Sequence, residues 1–282
     1  MLKNFGTSTF NNNISEITIP STVKTMDATF MYGSGFKKIV LENNIDTISN
    51  YMFSGCSNLE EIEIPNSVKY IGTAAFYQCA KLKNLDLKNF ETIGEFAFYG
   101  CTLLENVELN EGLTEIKEQS FQKTGLKSIT IPSRVTKIGF SAFSECVALK
   151  SVSLSEGLIE LDGFCFSDCS QLESIDLPSS LKILGYSPFK GCAAINSLIL
   201  PDGIEEIGYE TFVGLGINSI TIPSSVQTMG GSVFSGWTNQ QTININLKQS
   251  EIPSGWQSGN AGNQSFKNWN NNCYATINYL PE

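Results

Sequence analysis

No histidine occurs in the 282 residues. That absence excludes Ser-His-Asp and Cys-His nucleophile systems, HExxH zinc sites and every imidazole-ligated metal. Arginine occurs once, at Arg134, and the net charge is −10. The basic footprint of a nucleic-acid binder is therefore missing, and polyanions are not expected as partners. No apolar run approaches the roughly 18 residues a spanning helix needs, so no membrane span is expected in this stretch of chain. Charged residues make up only 16% and hydrophobic residues 41%, the composition of an ordered chain and not of an acidic disordered tail.

What the sequence has in abundance is one repeated unit. Aligned on phenylalanine, the chain gives Phe30, Phe53, Phe76, Phe98, Phe121, Phe143, Phe166, Phe189, Phe212 and Phe234, always 22 or 23 residues apart. A fixed period of that length identifies a solenoid. Each unit carries an alternating apolar triplet such as Ile62-Glu63-Ile64, often closed by proline as at Pro65, Pro132, Pro178, Pro201 and Pro223. That pattern predicts a short strand ending in a turn. A second apolar pair follows, as in Val68 and Ile71 or Val135 and Ile138, then a glycine, then a small residue before the marker phenylalanine. The last segment suits a tight turn or short 3₁₀ segment.

A lone unit has about six large apolar groups worth roughly 1.5 to 3 kcal/mol each when buried, against about 1 to 2 kcal/mol of backbone entropy per residue. It cannot fold alone. Stacked units share their apolar edges, and the expectation is one parallel sheet of eleven strands centred on Ile17, Ile39, Ile62, Leu85, Val107, Ile129, Val152, Ile175, Leu198, Ile220 and Ile243. The fold class is α/β in the leucine-rich-repeat sense, with few short helical or 3₁₀ turns.

Units such as Phe53-Ser-Gly-Cys56 through Leu59, Ile62, Ile64, Pro65, Val68, Ile71, Gly72 and Ala75-Phe76 resemble the BspA-like, or treponemal-type, leucine-rich repeat family. The resemblance runs from residue 2 to about 237, and Pro253-Ser-Gly-Trp256 with Trp269 resembles the C-terminal unit of bacterial members. It implies a right-handed solenoid with a concave parallel sheet, at a cell surface or secreted, associated with adhesion to host proteins or other cells. It transfers no binding residue.

The expected division is a repeat array over 1–237 and a C-terminal capping unit over 238–282. Leu2, Phe5, Gly6 and Phe10 match the second half of a unit, so the chain starts in mid-repeat. Either Met1 opens a fragment or residues 1–10 form a minimal cap. Trp237, Trp256 and Trp269 are read as sealing the open end of the core, with a sugar- or peptide-docking platform as the alternative.

Seven of the eight cysteines obey the period: six follow a marker phenylalanine by three residues, and Cys165 precedes Phe166. Zinc sites need closely paired ligands, and in-register neighbours hold Cβ atoms about 5 Å apart, outside disulfide range. A buried ladder of free thiols is expected, with no metal. No cofactor is expected either, since Gly33-Ser34-Gly35 and Gly214-Leu215-Gly216 lack the third glycine of a dinucleotide fingerprint.

Register also assigns the solvent side of the strands. The central column is Thr18, Val40, Glu63, Asp86, Glu108, Thr130, Ser153, Asp176, Ile199, Thr221 and Asn244; beside it run Glu16, Lys38, Glu61, Asn84 and Asn106, then a serine row from Ser128 to Ser219. Glu61, Glu63, Asp86 and Glu108 form an acidic patch that suits a basic partner, with a solvated face as the alternative. Asp176 and Ile199, the one outward apolar anchor of the neutral half, complete the candidate binding residues. Phe140, Tyr186 and Tyr209 are candidate aromatics on the opposite face. No convergent titratable groups suggest catalysis. The expected function is non-catalytic binding of a protein or cell-surface macromolecule through the concave face. The alternatives are a structural spacer, an intracellular scaffold, or an accessory module of a larger enzyme.

Overall fold

The computed structural model describes residues 15–23, 29–42, 45–256 and 268–281. Leu2, Phe5, Gly6 and Phe10, the expected half unit, lie outside the described residues. The described chain winds as a parallel β-solenoid, and among those residues the only helical turns are 3₁₀, at Gln249–Glu251 and Ser254–Trp256.

Two strand columns run along it where one was expected. The first follows the apolar triplets and comes in three pieces: Glu16–Ile19, Lys38–Leu41 and Glu61–Glu63; Ser128–Thr130, Ser151–Ser153 and Ser174–Ile175; and Ser219–Ile222, Thr242–Ile245 and Thr276–Tyr279. Between the first two pieces, pairing reduces to the bridges Asn84 to Asn106 and Leu87 to Leu109. Residues 195–200 carry no strand. Leu85, Val107 and Leu198 are thus not centres of strands, although Leu85 and Leu198 still point into the core. The second column consists of two-residue strands at the second apolar pair, among them six in one sheet from Glu115–Ile116 to Thr228–Met229. Burial of the second residue of each pair drives its formation: Ile116, Ile138, Leu161, Leu184, Ile207 and Met229 are all buried.

The marker turns form a third connection. Residues two before and two after the marker adopt positive φ, as at Ala74 (52°) and Gln78 (57°) or Ser141 (51°) and Glu145 (60°). This left-handed backbone turns N–H groups toward the following unit. Phe76 N donates to Ala97 O at 2.8 Å, Gln78 N to Tyr99 O at 2.7 Å, and Phe143 N to Cys165 O at 2.8 Å. The second sheet donates in the opposite sense, as in Gly94 N to Ile71 O at 2.8 Å and Gly208 N to Leu184 O at 2.7 Å.

Inside, the marker rings stack from Phe53 through Phe76, Phe98, Phe121 and Phe143 to Phe166 with centroids 5.2 to 5.5 Å apart. Each offset pair adds about 0.5 to 1.5 kcal/mol beyond area burial. The thiols beside them are buried and free. One unit is out of register with the sequence alignment: Met31, not Phe30, takes the marker place. Cys56 Sγ donates to Met31 O at 3.0 Å, Ser34 Oγ lies 3.3 Å from that thiol, and Gly33 (φ 63°) matches Gly55 (φ 75°). Two adjacent apolar residues made the aromatic one the false guide, and the spacing to Phe53 becomes 22 residues.

At the C-terminal end all three tryptophans are buried. Trp237 and Trp269 meet the Phe234 ring edge-on, at 5.0 and 5.9 Å, and Trp256 packs against Trp269 at 5.7 Å. The opposed donor directions leave two needs at this end, and the tail meets both. Trp256 Nε1 donates to Val226 O at 3.0 Å on the second-sheet side. Asn268 O and Asn272 O accept from Ser232 N and Gly236 N, each at 3.0 Å, on the marker side.

Candidate functional site

The outward face of the first sheet is set by strand register. Glu16, Lys38 and Glu61 lie side by side, as do Thr18, Val40 and Glu63. Ser128, Ser151 and Ser174 form the serine row, continued by Ser197 in the unpaired stretch and by Ser219, which pairs with Thr242. Their inward neighbours Ile39, Ile62, Ile129, Val152 and Ile175 are buried, so alternation holds each outward side chain in place.

The four acids of the first half are not a bare anionic patch. Lys38 Nζ lies 3.1 Å from Glu61 and 2.5 Å from Glu63, and Lys88 Nζ lies 2.5 Å from Glu108. Asp86 accepts from the Lys88 main-chain N–H at 2.9 Å. Hydrogen bonds to Glu63 and then Glu61 hold the Lys38 ammonium well above the usual lysine range, and Glu108 raises Lys88. Four carboxylates against two ammonium groups leave two negative charges. The repulsion that like charges on adjacent rungs would suffer is thereby relieved within the chain. Lys38 stands beside Glu61 in its own column, whereas its contact with Glu63 and that of Lys88 with Glu108 cross columns or units and escape a reading made column by column.

The second half differs. Asp176 is exposed, and Ile199 is 80% exposed. Ile199 stands at the break in the sheet, where a groove of about 540 Å³ is lined by Asn196, Ser197, Asn218, Ser219 and Thr221 among others. On the second sheet a groove of about 670 Å³ contains Tyr186, Tyr209, Glu160, Asp162 and Glu206. Lys137 pairs there with both Glu160 and Asp162 at 2.9 Å. Phe140, Phe164 and Tyr186 pack on one another, with Phe164 and Tyr186 edge-to-face at 5.0 Å; Tyr186 remains 42% exposed. Among the described residues no group of three His, Cys, Asp or Glu is placed to hold a metal, and no helix is long and apolar enough to cross a membrane.

The model of the BspA type leucine rich repeat region matches in six copies over residues 1–90, 87–194 and 160–273. No curated protein matches the chain. Among solved structures, a leucine-rich repeat protein from Bacteroides ovatus is 30% identical with a TM-score of 0.63, covering 85% of this chain and 59% of that one. The chain thus spans less than two thirds of that structure's length. The pneumococcal vaccine antigen PcpA is 26% identical with a TM-score of 0.57, over 84% of this chain and 69% of that one. A leucine-rich repeat protein from Eubacterium ventriosum, 23% identical with a TM-score of 0.52 over 65% and 60% of the two chains, shares the fold.

Proposed function

The chain belongs to the BspA-type leucine-rich repeat family, and from that premise we propose that it is a non-catalytic binding module, secreted or displayed at a cell surface. It meets a protein or other cell-surface macromolecule through the outward face of the first sheet. The observation that carries this reading is the register of that face: exposed side chains stand in columns on buried partners, a preset surface whose binding costs little ordering entropy. The likeness to a pneumococcal vaccine antigen supports surface display. Residues 1–237 are the array that presents the face, and residues 238–282 the unit that closes it.

Within the face, Glu61, Glu63, Asp86 and Glu108 meet basic groups of the partner, while Asp176 and Ile199 serve the neutral half. The partner's lysines or arginines compete with Lys38 and Lys88 for the carboxylates, so the acids speed encounter more than they tighten the complex. Solid-phase binding to matrix proteins and whole cells tests the reading. The comparison is between the wild type, the variant Glu61→Gln/Glu63→Gln/Asp86→Asn/Glu108→Gln, and Ile199→Asp. The quadruple variant should associate about tenfold more slowly at low salt and lose its salt dependence. A wild type that binds nothing on the panel, or variants that bind unchanged with the fold intact, would overturn the assignment.

A further inference from the structure

The marker turns present a third face, apart from the sheet assigned above. The residue after the marker is Tyr32, Ser54, Tyr77 and Tyr99 in four successive units, and the residue two before it is Tyr51, Ala74 and Phe96 in three. Both columns thus read ring, small residue, ring. The gaps at Ser54 and Ala74 open onto one cavity of about 330 Å³, walled by Tyr32, Tyr51, Tyr77 and Phe96. Tyr32 and Tyr51 are each about half exposed, at 52% and 48%.

Among the described residues no charged side chain lines the cavity. Aromatic faces carry negative potential, and a cage of them attracts a cation without forming an ion pair. The neighbouring rung holds a cation over a ring with a carboxylate beside it, since Lys123 also pairs with Glu145 at 3.2 Å. Tyr99 stacks on Tyr77 at 4.8 Å, and the Lys123 ammonium sits 5.5 Å from the centroid of the Tyr99 ring. The net charge of −10 draws cations to the surface as a whole. Without a carboxylate in the cavity, a metal ion or primary ammonium would lose hydration with no replacement. An alkylated ammonium has little hydration to lose.

We propose that the cavity between Tyr32, Tyr51, Tyr77 and Phe96 binds a quaternary ammonium group. The same group occurs in free small molecules and in phospholipid headgroups. Calorimetry and ligand-observed NMR with tetramethylammonium chloride test the site, with 3,3-dimethylbutan-1-ol as the neutral isostere. Co-sedimentation with phosphatidylcholine or phosphatidylglycerol vesicles identifies the source. The cation should bind saturably, the alcohol at least about tenfold more weakly, and Tyr32→Ala and Tyr51→Leu should each weaken the cation about two- to thirtyfold. Tyr186→Ala, on the second-sheet groove, should leave it unchanged. Selective sedimentation with phosphatidylcholine, lost in Tyr51→Leu, assigns the headgroup; saturable tetramethylammonium binding without sedimentation assigns the free compound. No saturable binding by the wild type, equal binding of the alcohol, or wild-type affinity in folded Tyr32 and Tyr51 variants would overturn the proposal. None of these outcomes depends on the first-sheet face.

Discussion

The indole Nε1 of Trp237 donates to the main-chain carbonyl of Phe212 at 3.0 Å, in the role that thiols fill elsewhere along the solenoid. Cys79 Sγ donates to Phe53 O at 3.1 Å, Cys101 to Phe76 at 3.2 Å, Cys146 to Phe121 at 3.1 Å, Cys169 to Phe143 at 3.2 Å and Cys192 to Phe166 at 3.0 Å. A buried donor three after the marker thus reaches the preceding unit whether it is a thiol or an indole, although Thr124 bonds Phe121 O of its own unit and Leu215 has no donor. Replacing the donor while keeping a ring, as in Trp237→Phe, leaves a buried carbonyl short of a partner at a cost of about 1 to 3 kcal/mol. Denaturant unfolding measures it; unchanged stability would show that the bond contributes nothing.

Burial pushes the thiol pKa upward at Cys56, Cys79, Cys101, Cys146 and Cys165, to about 11 for Cys146. Native protein at pH 8 should accordingly resist a thiol-specific reagent at the seven buried cysteines, with only half-buried Cys273 open to slow labelling. All eight should react in guanidinium. Rapid native labelling of several thiols would mean that the units open readily.

The same groups set an alkaline limit. Each raised thiol contributes stability that is whole below the unfolded value near 9 and is lost as pH rises through the folded value, about 11 for Cys146. The unfolding midpoint should fall as pH rises from about 9 toward about 11. A cysteine-to-alanine variant of the ladder should show a smaller fall.

Glu156 accepts hydrogen bonds from Ser179 N at 3.0 Å and Ser179 Oγ at 2.9 Å across one unit. These bonds, led by the main-chain one, with lesser help from Ser180, pull its carboxyl below the ordinary value. Its contribution is present above the unfolded value and is lost as pH falls through the lower folded value. An NMR titration of Glu156 with an ordinary midpoint would contradict the contact.

Glycine after the second apolar pair has a steric origin. A Cβ on Gly208 would stand 2.4 Å from Gly185 C and 2.6 Å from Tyr186 N, both main chain, so neither can swing aside. Gly208→Ala should destabilise by about 1 to 3 kcal/mol, read by thermal or denaturant unfolding, whereas Gly214→Ala is limited by its φ of 77° and not by space.

The aromatic core was legible because each unit repeats the same apolar places, and burial of Phe53, Phe76 and Phe98 needs no information beyond that spacing. The outward candidates were legible for the same reason, since alternation alone places Glu61, Glu63 and Ile199 in solvent. Register failed where the local pattern was ambiguous, at Phe30 and Met31, and only the contact of Cys56 with Met31 O separates the two. Register placed Lys38 beside Glu61, but the contacts of Lys38 with Glu63 and of Lys88 with Glu108 were not legible, because they depend on where long side chains reach across columns and units.

The amino-acid sequence by itself determined the period, the buried columns, the free thiols and the solvent side of the strands, because apolar burial repeats with the unit and is written in residue type. Only the tertiary structure decided the second sheet, the breaks in the first and the opposed directions of hydrogen bonding. Those depend on main-chain N–H and C=O groups that every residue carries alike, so which unit donates to which is settled by the left-handed turns and by the close approach of one unit to the next.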